Sequence, residues 1–593
     1  MSVKVLVIDS GVDLRHPSFV GVNIKTYDFI DTNLKLSEGN DTYGHGTAIA
    51  SIIAKKKNVE IVSVKLDDIE NAVDEKQLVS LLKYIYANMQ FDIINLSLGL
   101  NICEDEELFS LCEMFKRNNT VIVSAFDNLG FISFPAAFSN VIGVTSGGMC
   151  NKINQFEYVE SAEINLAAKG GLQRVAWVNP QYLMVGGNSF ACAHASAQIV
   201  DFINDGIVGF DNILKEFRNN AIKIWEEANP VGENSKPKIE RAILFPFNKE
   251  MHSLIRFSHL LNFKIVGVYD CKFSANIGAT TKRLMDDDVL DIKIGNINQV
   301  DWNEFDTIIL GHTDEMLNVA GDKEIYKFIE EAKTKNKQFY SLDEVNVKRF
   351  DLNNVYYPII SKTKLPSNRF GKLYRISKPV VGVFGTSSKQ GKFTLQLKLR
   401  EQLIKDGYKV GQIGTEPHSL LFDFDDVFPI GYNSNVSIFD NEVVSYLNNR
   451  IYELCMSNDL ILVGSQSGTV PYDVGNLAQF TISQMVFLQG TQPDAVILCI
   501  NAFDDNAYVK RTIEYIEASV DCKVIALVLF PVTLNEDWRG IYGGTYKMCY
   551  NEKRNLIEKF SKCYERNVYM LDDLSQIIEL KETIIDFFSE KGE

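Results

Sequence analysis

Four short motifs, each next to an apolar run, follow one another along the first third of this chain. They are Val7-Ile8-Asp9-Ser10-Gly11-Val12-Asp13, Gly44-His45-Gly46-Thr47, Val121-Ile122-Val123-Ser124-Ala125-Phe126-Asp127-Asn128 and Gly187-Asn188-Ser189-Phe190-Ala191. One such motif alone is typical of a capped helix or a strand end, because Asp, Asn and Ser favour those positions. Together they constrain the fold far more, since an aspartate, a histidine, an asparagine and a serine stand in order at spacings of 36, 83 and 61 residues.

The order Asp, His, Ser is that of the subtilisin triad, and it differs from the orders in chymotrypsin and in the α/β-hydrolases. The flanks of the motifs agree with that family. His16-Pro17 follows the aspartate, Asp41 stands four residues before His45, and His194 stands five residues after the serine. Residues 1–230 therefore resemble the subtilase family of serine proteases, which implies a subtilisin-like domain built on a parallel β-sheet.

The resemblance implies a role in peptide-bond hydrolysis for one polar residue of each motif. Ser189, at the start of a helix, would attack the scissile carbonyl, and His45 would take its proton. Asp9 would orient the imidazole and stabilise its charged form. The side-chain amide of Asn128 and the backbone N–H of Ser189 would bind the developing oxyanion. We therefore predict a catalytic triad with Asn128 as the oxyanion donor.

A fifth segment is predicted to bind the substrate backbone. The apolar run Ile93-Ile94-Asn95-Leu96 reads as a strand, and Ser97, Leu98 and Gly99 follow it directly. This segment resembles the subtilase edge that pairs with an extended substrate.

Composition and charge exclude several classes of partner. At 593 residues the chain is expected to hold about three to four domains. Its net charge of −17 opposes non-specific binding to nucleic acid. No apolar run reaches the length of about 18 residues that a membrane span needs. We therefore expect neither nucleic acid nor a membrane as a partner.

Cysteine and histidine usage favours a reducing compartment and no metal site. The ten cysteines are scattered without a CxxC pair, and Asp9 stands too early to leave room for a signal peptide or propeptide before it. Both features are typical of a cytoplasmic protein. The seven histidines are dispersed and none pairs with a cysteine cluster, so we predict no metal ligands.

A second α/β pattern follows a polar linker rich in Pro and Gly at residues 229–237. The predicted strands cover residues 241–247, 264–269, 307–311 and 337–341, and the predicted helices cover residues 249–261 and 322–335. This alternation predicts a small, Rossmann-like parallel sheet wrapped by helices over residues 238–375. No GxGxxG fingerprint is present, and a scaffold or peptide-docking role is favoured over a dinucleotide site.

A loop bracketed by two glycines begins the last third of the chain. It is Gly385-Thr386-Ser387-Ser388-Lys389-Gln390-Gly391-Lys392-Phe393-Thr394, between a predicted strand at 379–384 and a predicted helix at 391–406. A strand, a glycine-bracketed loop and a helix are the context of a phosphate-binding loop. The loop departs from GxxxxGK[ST], because five residues separate its glycines and Phe393 separates the lysine from the threonine.

This variant resembles the loop of dethiobiotin-synthetase-like P-loop proteins. It is closer to a bacterial P-loop family in which a Rossmann-like domain precedes the loop domain, so residues 376–593 are predicted as a P-loop NTPase-like domain. The resemblance implies that Gly385, Gly391, Lys392 and Thr394 form the phosphate loop, with ATP or GTP and Mg²⁺ as the implied ligand. Lys392 would contact the terminal phosphates, and Thr394 or Ser388 would reach the metal. Proteolysis itself requires no cofactor.

The acidic partner of Mg²⁺ is left open by the sequence. The natural Walker-B strand, residues 459–463, runs into Gly464-Ser465 where the resembled family carries a glutamate. The acidic group is either missing or supplied by Glu416 or Asp459. Binding of phosphate without turnover is the alternative to an NTPase.

We thus predict an α/β protein throughout, a cytoplasmic subtilisin-like serine endopeptidase that acts on a peptide or protein substrate. Its oligomeric state stays open. The whole arrangement is similar to clostridial peptide-maturation proteases, which implies removal of a leader from a ribosomally made, modified precursor peptide. One alternative is a general intracellular protease with nucleotide-coupled regulation. The other is a catalytically silent peptide-binding assembly.

Overall fold

The structure is a computed structural model of the chain. It describes residues 2–39, 41–66, 74–103, 106–128, 130–160, 163–225, 236–271, 274–285, 289–312, 322–344, 355–366, 368, 370–431, 435–472, 474–475, 479–534 and 544–591. Two compact units divide the chain: unit 1 is Met1–Asn229 with Ser367–Arg375, and unit 2 is Pro230–Pro366 with Ile376–Glu593. Most of the predicted linker at 229–237 lies outside the described residues.

Unit 1 is built on a ten-stranded sheet with a separate two-stranded hairpin. The strands of the unit are β1 Val3–Asp9, β2 Asn23–Ile30, β3 Asn33–Leu36, β4 Val59–Leu66, β5 Ile93–Leu96, β6 Val121–Ala125, β7 Ile142–Ser146, β8 Glu157–Val159, β9 Leu166–Ala168, β10 Gln173–Ala176, β11 Tyr182–Val185 and β12 Lys223–Trp225. The order across the sheet is β12-β8-β9-β7-β6-β5-β1-β4-β2-β3, and β10 pairs with β11. All neighbours in the sheet are parallel except β2–β3 and β8–β9.

Five α-helices accompany this sheet among the described residues. They are α1 His45–Ile53, α2 Glu75–Asn88, α3 Glu106–Arg117, α4 Asn188–Asn204 and α5 Phe210–Asn220, with a single 3₁₀ turn at Pro17–Phe19. Val3, Val5 and Val7 of β1 pack in one core with α1 and α4. Leu6 and Ile8 alternate with them and are fully buried on the other face. Burial on both faces explains why β1 reads as a continuous apolar run.

The first sheet of unit 2 is parallel and has six strands. These are β13 Arg241–Phe245, β14 Lys264–Asp270, β15 Ile294–Asn296, β16 Thr307–Leu310, β17 Gln338–Ser341 and β18 Val355–Tyr356, in the order β15-β14-β13-β16-β17-β18. The helices are α6 Met251–Arg256, α7 Thr281–Met285 and α8 Asp322–Thr334, with 3₁₀ turns at Ser258–Leu260, Ile297–Gln299 and Lys362–Lys364. The helix predicted at 249–261 is thus broken, because Phe257 takes a non-helical conformation with φ −112° and ψ 32°.

The second sheet of unit 2 is also parallel and has seven strands. These are β19 Val380–Gly385, β20 Val410–Gly414, β21 Asp426–Val427, β22 Leu460–Gly464, β23 Ala495–Ile500, β24 Lys523–Leu529 and β27 Asn567–Met570; β25 Val532–Leu534 and β26 Thr545–Lys547 form a hairpin. The order is β21-β20-β22-β19-β23-β24-β27. Its helices are α9 Lys392–Lys405, α10 Asn441–Cys455, α11 Ile482–Thr491, α12 Asn506–Ser519, α13 Tyr550–Tyr564 and α14 Leu574–Lys591, with a 3₁₀ segment at Pro417–Phe422.

The two sheets of unit 2 share apolar packing. Leu244 and Ile309 of the first sheet belong to the same core cluster as Leu397 of α9 and Phe422. The predicted α/β class is confirmed, since parallel sheets with helices make up both units. Within the described part of the chain, no helix combines the length and the apolar character needed to cross a bilayer.

Candidate active site

Asp9 and His45 are brought together at the carboxyl edge of the sheet in unit 1. Asp9 is the last residue of β1 and only 3% exposed. Nδ1 of His45 lies 2.8 Å from Oδ1 and 3.0 Å from Oδ2 of this carboxylate. Oδ1 also accepts the backbone N–H of Ser10 at 2.8 Å. The carboxylate therefore fixes the imidazole by its Nδ1 side and leaves Nε2 for chemistry.

The two glycines that flank His45 set its position. Gly44, the N-cap of α1, has φ +103°, and a Cβ at this position would lie 2.7 Å from Nε1 of Trp177. A Cβ at Gly46 would lie 2.1 Å from the carbonyl oxygen of Gly11. The absence of both side chains lets α1 begin in contact with the turn that follows β1.

Asp41 is a second buried carboxylate of the site, and the sequence identified it only as a flank. Its Oδ1 accepts from the Ser10 hydroxyl at 3.0 Å and from the Gly44 N–H at 2.8 Å. Its Oδ2 accepts from the N–H and the hydroxyl of Thr47 at 3.0 and 2.6 Å. Asp41 thus ties the first turn of α1 to the loop after β1.

Opposing effects set the pKa of His45. Burial, the largest of them, lowers the pKa, while the charge and hydrogen bond of Asp9 and the charge of Asp41 raise it. The net effect raises the pKa above its ordinary value. The two carboxylates therefore stabilise the imidazolium that forms when His45 takes a proton.

Ser189 stands in the first turn of α4, and it is 7% exposed. Its hydroxyl donates to the carbonyl of Ser97 at 3.1 Å, just after β5. The ring of Phe190, the next residue, lies 5.7 Å from the imidazole of His45 between centroids, so the first turn of α4 lies next to the imidazole. Nucleophile–base hydrogen bonds often form or tighten only when substrate binds, so transfer of the serine proton to His45 stays a prediction.

Asn128 and Asn188 form the junction between β6 and α4. Oδ1 of Asn128 accepts the backbone N–H of Asn188 at 2.8 Å, which assigns its amide nitrogen to the opposite side. The Asn188 amide donates to the carbonyls of Phe126 and Asp127, each at 3.0 Å. Asn188 thus anchors both the nucleophile and the predicted oxyanion donor. Its position just before Ser189 is the signal that could have identified it.

The predicted substrate edge leaves the sheet where β5 ends. Ser97 is buried, Leu98 is half-buried and Gly99 is exposed. Leu100 then exchanges backbone hydrogen bonds of 2.8 and 2.7 Å with Phe134. Backbone pairing of Ser97–Gly99 with a substrate stays a prediction.

The flanking histidines of the motifs have structural partners. Nε2 of His16 lies 2.8 Å from the carbonyl oxygen of Gln181, and Nε2 of His194 lies 2.8 Å from Oε1 of Gln173. Burial lowers the pKa of His194 to about 4, so this histidine is neutral at pH 7. The His194 side chain thus bonds to β10, and the His16 side chain bonds to the turn between β10 and β11.

The predicted phosphate loop connects β19 to α9 in unit 2. Gly391 is the left-handed N-cap of α9, with φ +72°. Nζ of Lys392 donates to the carbonyl of Ser387 at 2.6 Å, and a Cβ at Gly385 would lie 3.0 Å from that nitrogen. Burial lowers the pKa of Lys392 to about 8. Thr394 lies in the first turn of α9, at the same end of the helix.

Of the two acidic groups that the sequence left open, Glu416 lies at the edge of the sheet that carries the loop and Asp459 does not. Asp459 precedes the first residue of β22, at the edge opposite the loop, so it cannot serve there. Glu416 follows β20 at the loop edge, and burial raises its pKa against the attraction of nearby cations that include Lys392. Asp504, which the sequence did not single out, accepts from the hydroxyl of Thr386 in the loop and from the N–H of Asn501 at 2.9 Å.

The predicted phosphate loop combines a cationic side chain with the N-terminus of a helix. Lys392 and the first turn of α9 suit an anion. β22 ends at Gly464, and the hydroxyl of the next residue, Ser465, is buried with no hydrogen-bond partner in the described residues. Within the described ranges, no group of three or more His, Cys, Asp or Glu side chains could hold a metal ion.

Two family profiles match this chain. Residues 1–203 match the "Subtilase family", and residues 369–565 match a "Domain of unknown function (DUF1611_C) P-loop domain". The chain therefore carries a subtilase domain at its N-terminus, fused to a DUF1611 P-loop domain. This agrees with the resemblance found from the motifs.

Curated relatives match the N-terminal third. Thermitase of Thermoactinomyces vulgaris is 26% identical over 234 residues, which are 37% of this chain and 81% of thermitase. The thermophilic serine proteinase of Bacillus sp. (strain AK1) is 27% identical over 206 residues, 32% of this chain. The match spans only 50% of the length of that Bacillus proteinase.

Solved structures cover both parts of the chain at low identity. A DUF1611 family protein from Anabaena variabilis is 11% identical with a TM-score of 0.42, covering 58% of this chain and 99% of its own. The prenylagaramide maturation protease PagA is 20% identical with a TM-score of 0.27, covering 36% of this chain and 80% of its own.

Proposed function

We propose that this chain is a serine endopeptidase whose active site lies in unit 1. The observation that carries the proposal is the pair of buried Asp9 and half-buried His45, whose carboxylate and Nδ1 lie 2.8 Å apart beside the helix turn that bears Ser189. Elements distant in sequence converge on this point at the carboxyl edge of one sheet. A catalytically silent peptide-binding assembly is the alternative, and it would take no label from a fluorophosphonate probe.

The reaction follows from these positions. The Ser189 hydroxyl leaves the Ser97 carbonyl and attacks the substrate carbonyl carbon, while Nε2 of His45 takes its proton. Asp9 stabilises the imidazolium, which then gives the proton to the leaving amine. Water attacks the acyl-enzyme by the same route and releases the second product.

The oxyanion of each tetrahedral intermediate would be bound by two donors. One is the amide nitrogen of Asn128, oriented by the hydrogen bond that its Oδ1 accepts from Asn188. The other is the backbone N–H of Ser189 at the start of α4. Such donors are most effective when they are fixed before the reaction begins. The hydrogen bonds of Asn188 to the carbonyls of Phe126 and Asp127 hold the backbone next to Asn128 in place.

The substrate that we propose is a ribosomally made, modified precursor peptide, from which the enzyme removes the leader in the cytoplasm. Support comes from the arrangement of a subtilase domain followed by a P-loop domain, which resembles peptide-maturation proteases. In this proposal the C-terminal module contributes to substrate recognition. A general intracellular protease is the second candidate.

Mass spectrometry of digests distinguishes these candidates. The full chain is incubated with a library of leader–core precursor peptides and, in parallel, with unfolded casein. A maturation protease cuts at one leader–core junction and leaves casein largely intact. Cuts throughout casein would favour the general protease, and release of terminal residues alone would contradict an endopeptidase.

We further propose that the loop Gly385–Thr394 binds the phosphates of ATP or GTP through Lys392. A bound nucleotide would supply polyphosphate charge that orders the loop. Titration of the full chain with a fluorescent ATP analogue tests this proposal, with Lys392→Met as the variant. The control is Lys409→Met, at an exposed residue that precedes β20 and lies outside the loop. Binding that is lost only with Lys392→Met supports the site, and equal binding by all three chains contradicts it.

A further inference from the structure

Nine residues from the second half of the chain belong to the protease unit. The segment Ser367–Arg375 is assigned to unit 1 by its contacts, although the residues on both sides of it belong to unit 2. The DUF1611 profile begins inside the same segment, at residue 369. The family match therefore places most of this segment in the DUF1611 domain, whereas its contacts place it in unit 1.

The segment is held by backbone and side-chain hydrogen bonds. Leu373 pairs in parallel with Phe131, and its carbonyl accepts the N–H of Ile132 at 2.8 Å. The Tyr374 hydroxyl donates to Oε1 of Glu163 at 3.0 Å. These contacts place the segment beside the loop that follows β6, which is the strand leading to Asn128.

Lys372 of this segment contacts the residue just before Asn128. Its side chain is buried, and the residue is only 8% exposed. Nζ donates to the carbonyl of Asp127 at 3.2 Å and lies 5.7 Å from the ring centroid of Phe126. A buried ammonium needs such partners, because burial without a hydrogen bond is costly.

The carbonyl of Asp127 links Lys372 to the oxyanion site. It accepts from Lys372 and also from the side-chain amide of Asn188 at 3.0 Å. The peptide that contains this carbonyl ends at Asn128, whose own Oδ1 accepts the N–H of Asn188. Movement of this peptide would therefore move the oxyanion donor relative to Ser189.

We propose that Lys372 is a positioning residue of the protease, which fixes the Asp127–Asn128 peptide and thereby the oxyanion donor. The inference rests on the proposed endopeptidase function. It assigns part of the active-site support to a segment that lies outside the family match of the subtilase domain. Lys372 acts through Asn128 and does not itself touch the substrate.

The first test compares peptide cleavage by the full chain and by Lys372→Met, which keeps the length of the side chain. We expect kcat to fall by about 10-fold with KM nearly unchanged, which is less than the 10²–10³-fold typical of losing an oxyanion donor. Arg375→Met removes a positive charge from the same segment at an exposed side chain, and it should leave kcat within about 2-fold. An unchanged kcat in Lys372→Met, or equal losses in both variants, would overturn the proposal.

A double-mutant cycle separates positioning from general support of the fold. In the Asn128→Ala background the donor is already absent, so Lys372→Met should cause little further loss of kcat. A full additional 10-fold loss would show that Lys372 acts elsewhere. Thermal unfolding is measured for every variant, and Lys372→Leu, which also lacks the ammonium donor, replaces the methionine variant in the cycle if the latter does not fold. If the parent chain does not cleave at all, the proposed function fails; if the parent cleaves and the cycle is additive, this inference alone fails.

Discussion

Asp41 shows how one residue outside the triad can influence both the base and the fold of the site. It raises the pKa of His45 together with Asp9, against the effect of burial. It also accepts hydrogen bonds from Ser10, Gly44 and Thr47. The same carboxylate therefore adjusts the proton affinity of the imidazole and fixes its position.

Asp41→Asn should shift the acidic limb of the kcat/KM profile to lower pH. His45 must be neutral to accept a proton, and its pKa falls when a charge that raises it is removed. The amide also cannot accept all the donors now bound, so stability should fall by about 1–3 kcal/mol. pH profiles and thermal unfolding measure the two effects, with the exposed Asp205→Asn as the control. An acidic limb of the kcat/KM profile that stays in place or moves to higher pH would contradict the effect of Asp41 on the pKa of His45.

Asn128 can be tested with a nearly isosteric change. Asn128→Asp keeps an oxygen that can accept from Asn188, but it replaces the amide donor with a second oxygen. We expect kcat to fall by at least ~10²–10³, as for loss of an oxyanion donor, with little change in KM. Steady-state kinetics on a short peptide measures this, and Asn128→Ala separates the loss of the donor from added negative charge. A kcat near that of the parent in both variants would place the oxyanion donor elsewhere.

At the level of single residues, the motifs indicated which side chains to examine but not all of their partners. The proximity of Asp9 to His45 follows from two motifs in a familiar order. The contact of Lys372 depends on a backbone carbonyl, which carries no sequence signal. The hydrogen bond from Lys372 to the carbonyl of Asp127 joins residues that are 245 positions apart, and no side-chain spacing in the sequence predicts it.

Among the elements, α1 is fitted closely against the turn that follows β1. Gly46, in its first turn, lies so close to the turn after β1 that a Cβ would come within 2.1 Å of the Gly11 carbonyl oxygen. A side chain there must push the helix, and His45 with it, away from Asp9. The fit between α1 and β1 is therefore set by the missing side chain at Gly46.

Gly46→Ala should destabilise unit 1 by about 1–3 kcal/mol and lower cleavage activity, because overpacking must shift backbone rather than a flexible side chain. Gly148→Ala is the matched control, since a Cβ at Gly148 meets nothing within 4 Å. Thermal unfolding and peptide cleavage are measured for both chains. Parent-like stability and activity in Gly46→Ala would show that α1 is not fixed in this way.

Elements with strong local patterns were predicted well from the sequence. The strand at Ile93–Leu96 has the predicted bounds, and the helix predicted at 322–335 spans Asp322–Thr334. The break at Phe257 was missed, because the apolar periodicity continues across it. The pairing of Leu373 with Phe131 was also missed, since a single bridge between distant segments leaves no periodic pattern.

The whole molecule combines two units whose boundaries do not follow the order of the chain. Unit 1 takes most of its residues from Met1–Asn229 but is completed by Ser367–Arg375. The predicted domain limits at 230 and 375 treat these segments as parts of different domains. A fragment that ends near residue 230 would therefore lack Lys372, which makes the full chain the appropriate form for every activity measurement.

The central claim is that Ser189 is an activated nucleophile, and a fluorophosphonate probe tests it most directly. The full chain is labelled at pH 8 and the adduct is located by peptide mass spectrometry, with Ser189→Ala and the exposed Ser139→Ala in parallel. We predict one adduct per chain, on Ser189, retained in Ser139→Ala and absent from Ser189→Ala. A folded parent chain that takes no label, or a Ser189→Ala chain that labels as fast as the parent, would contradict the account.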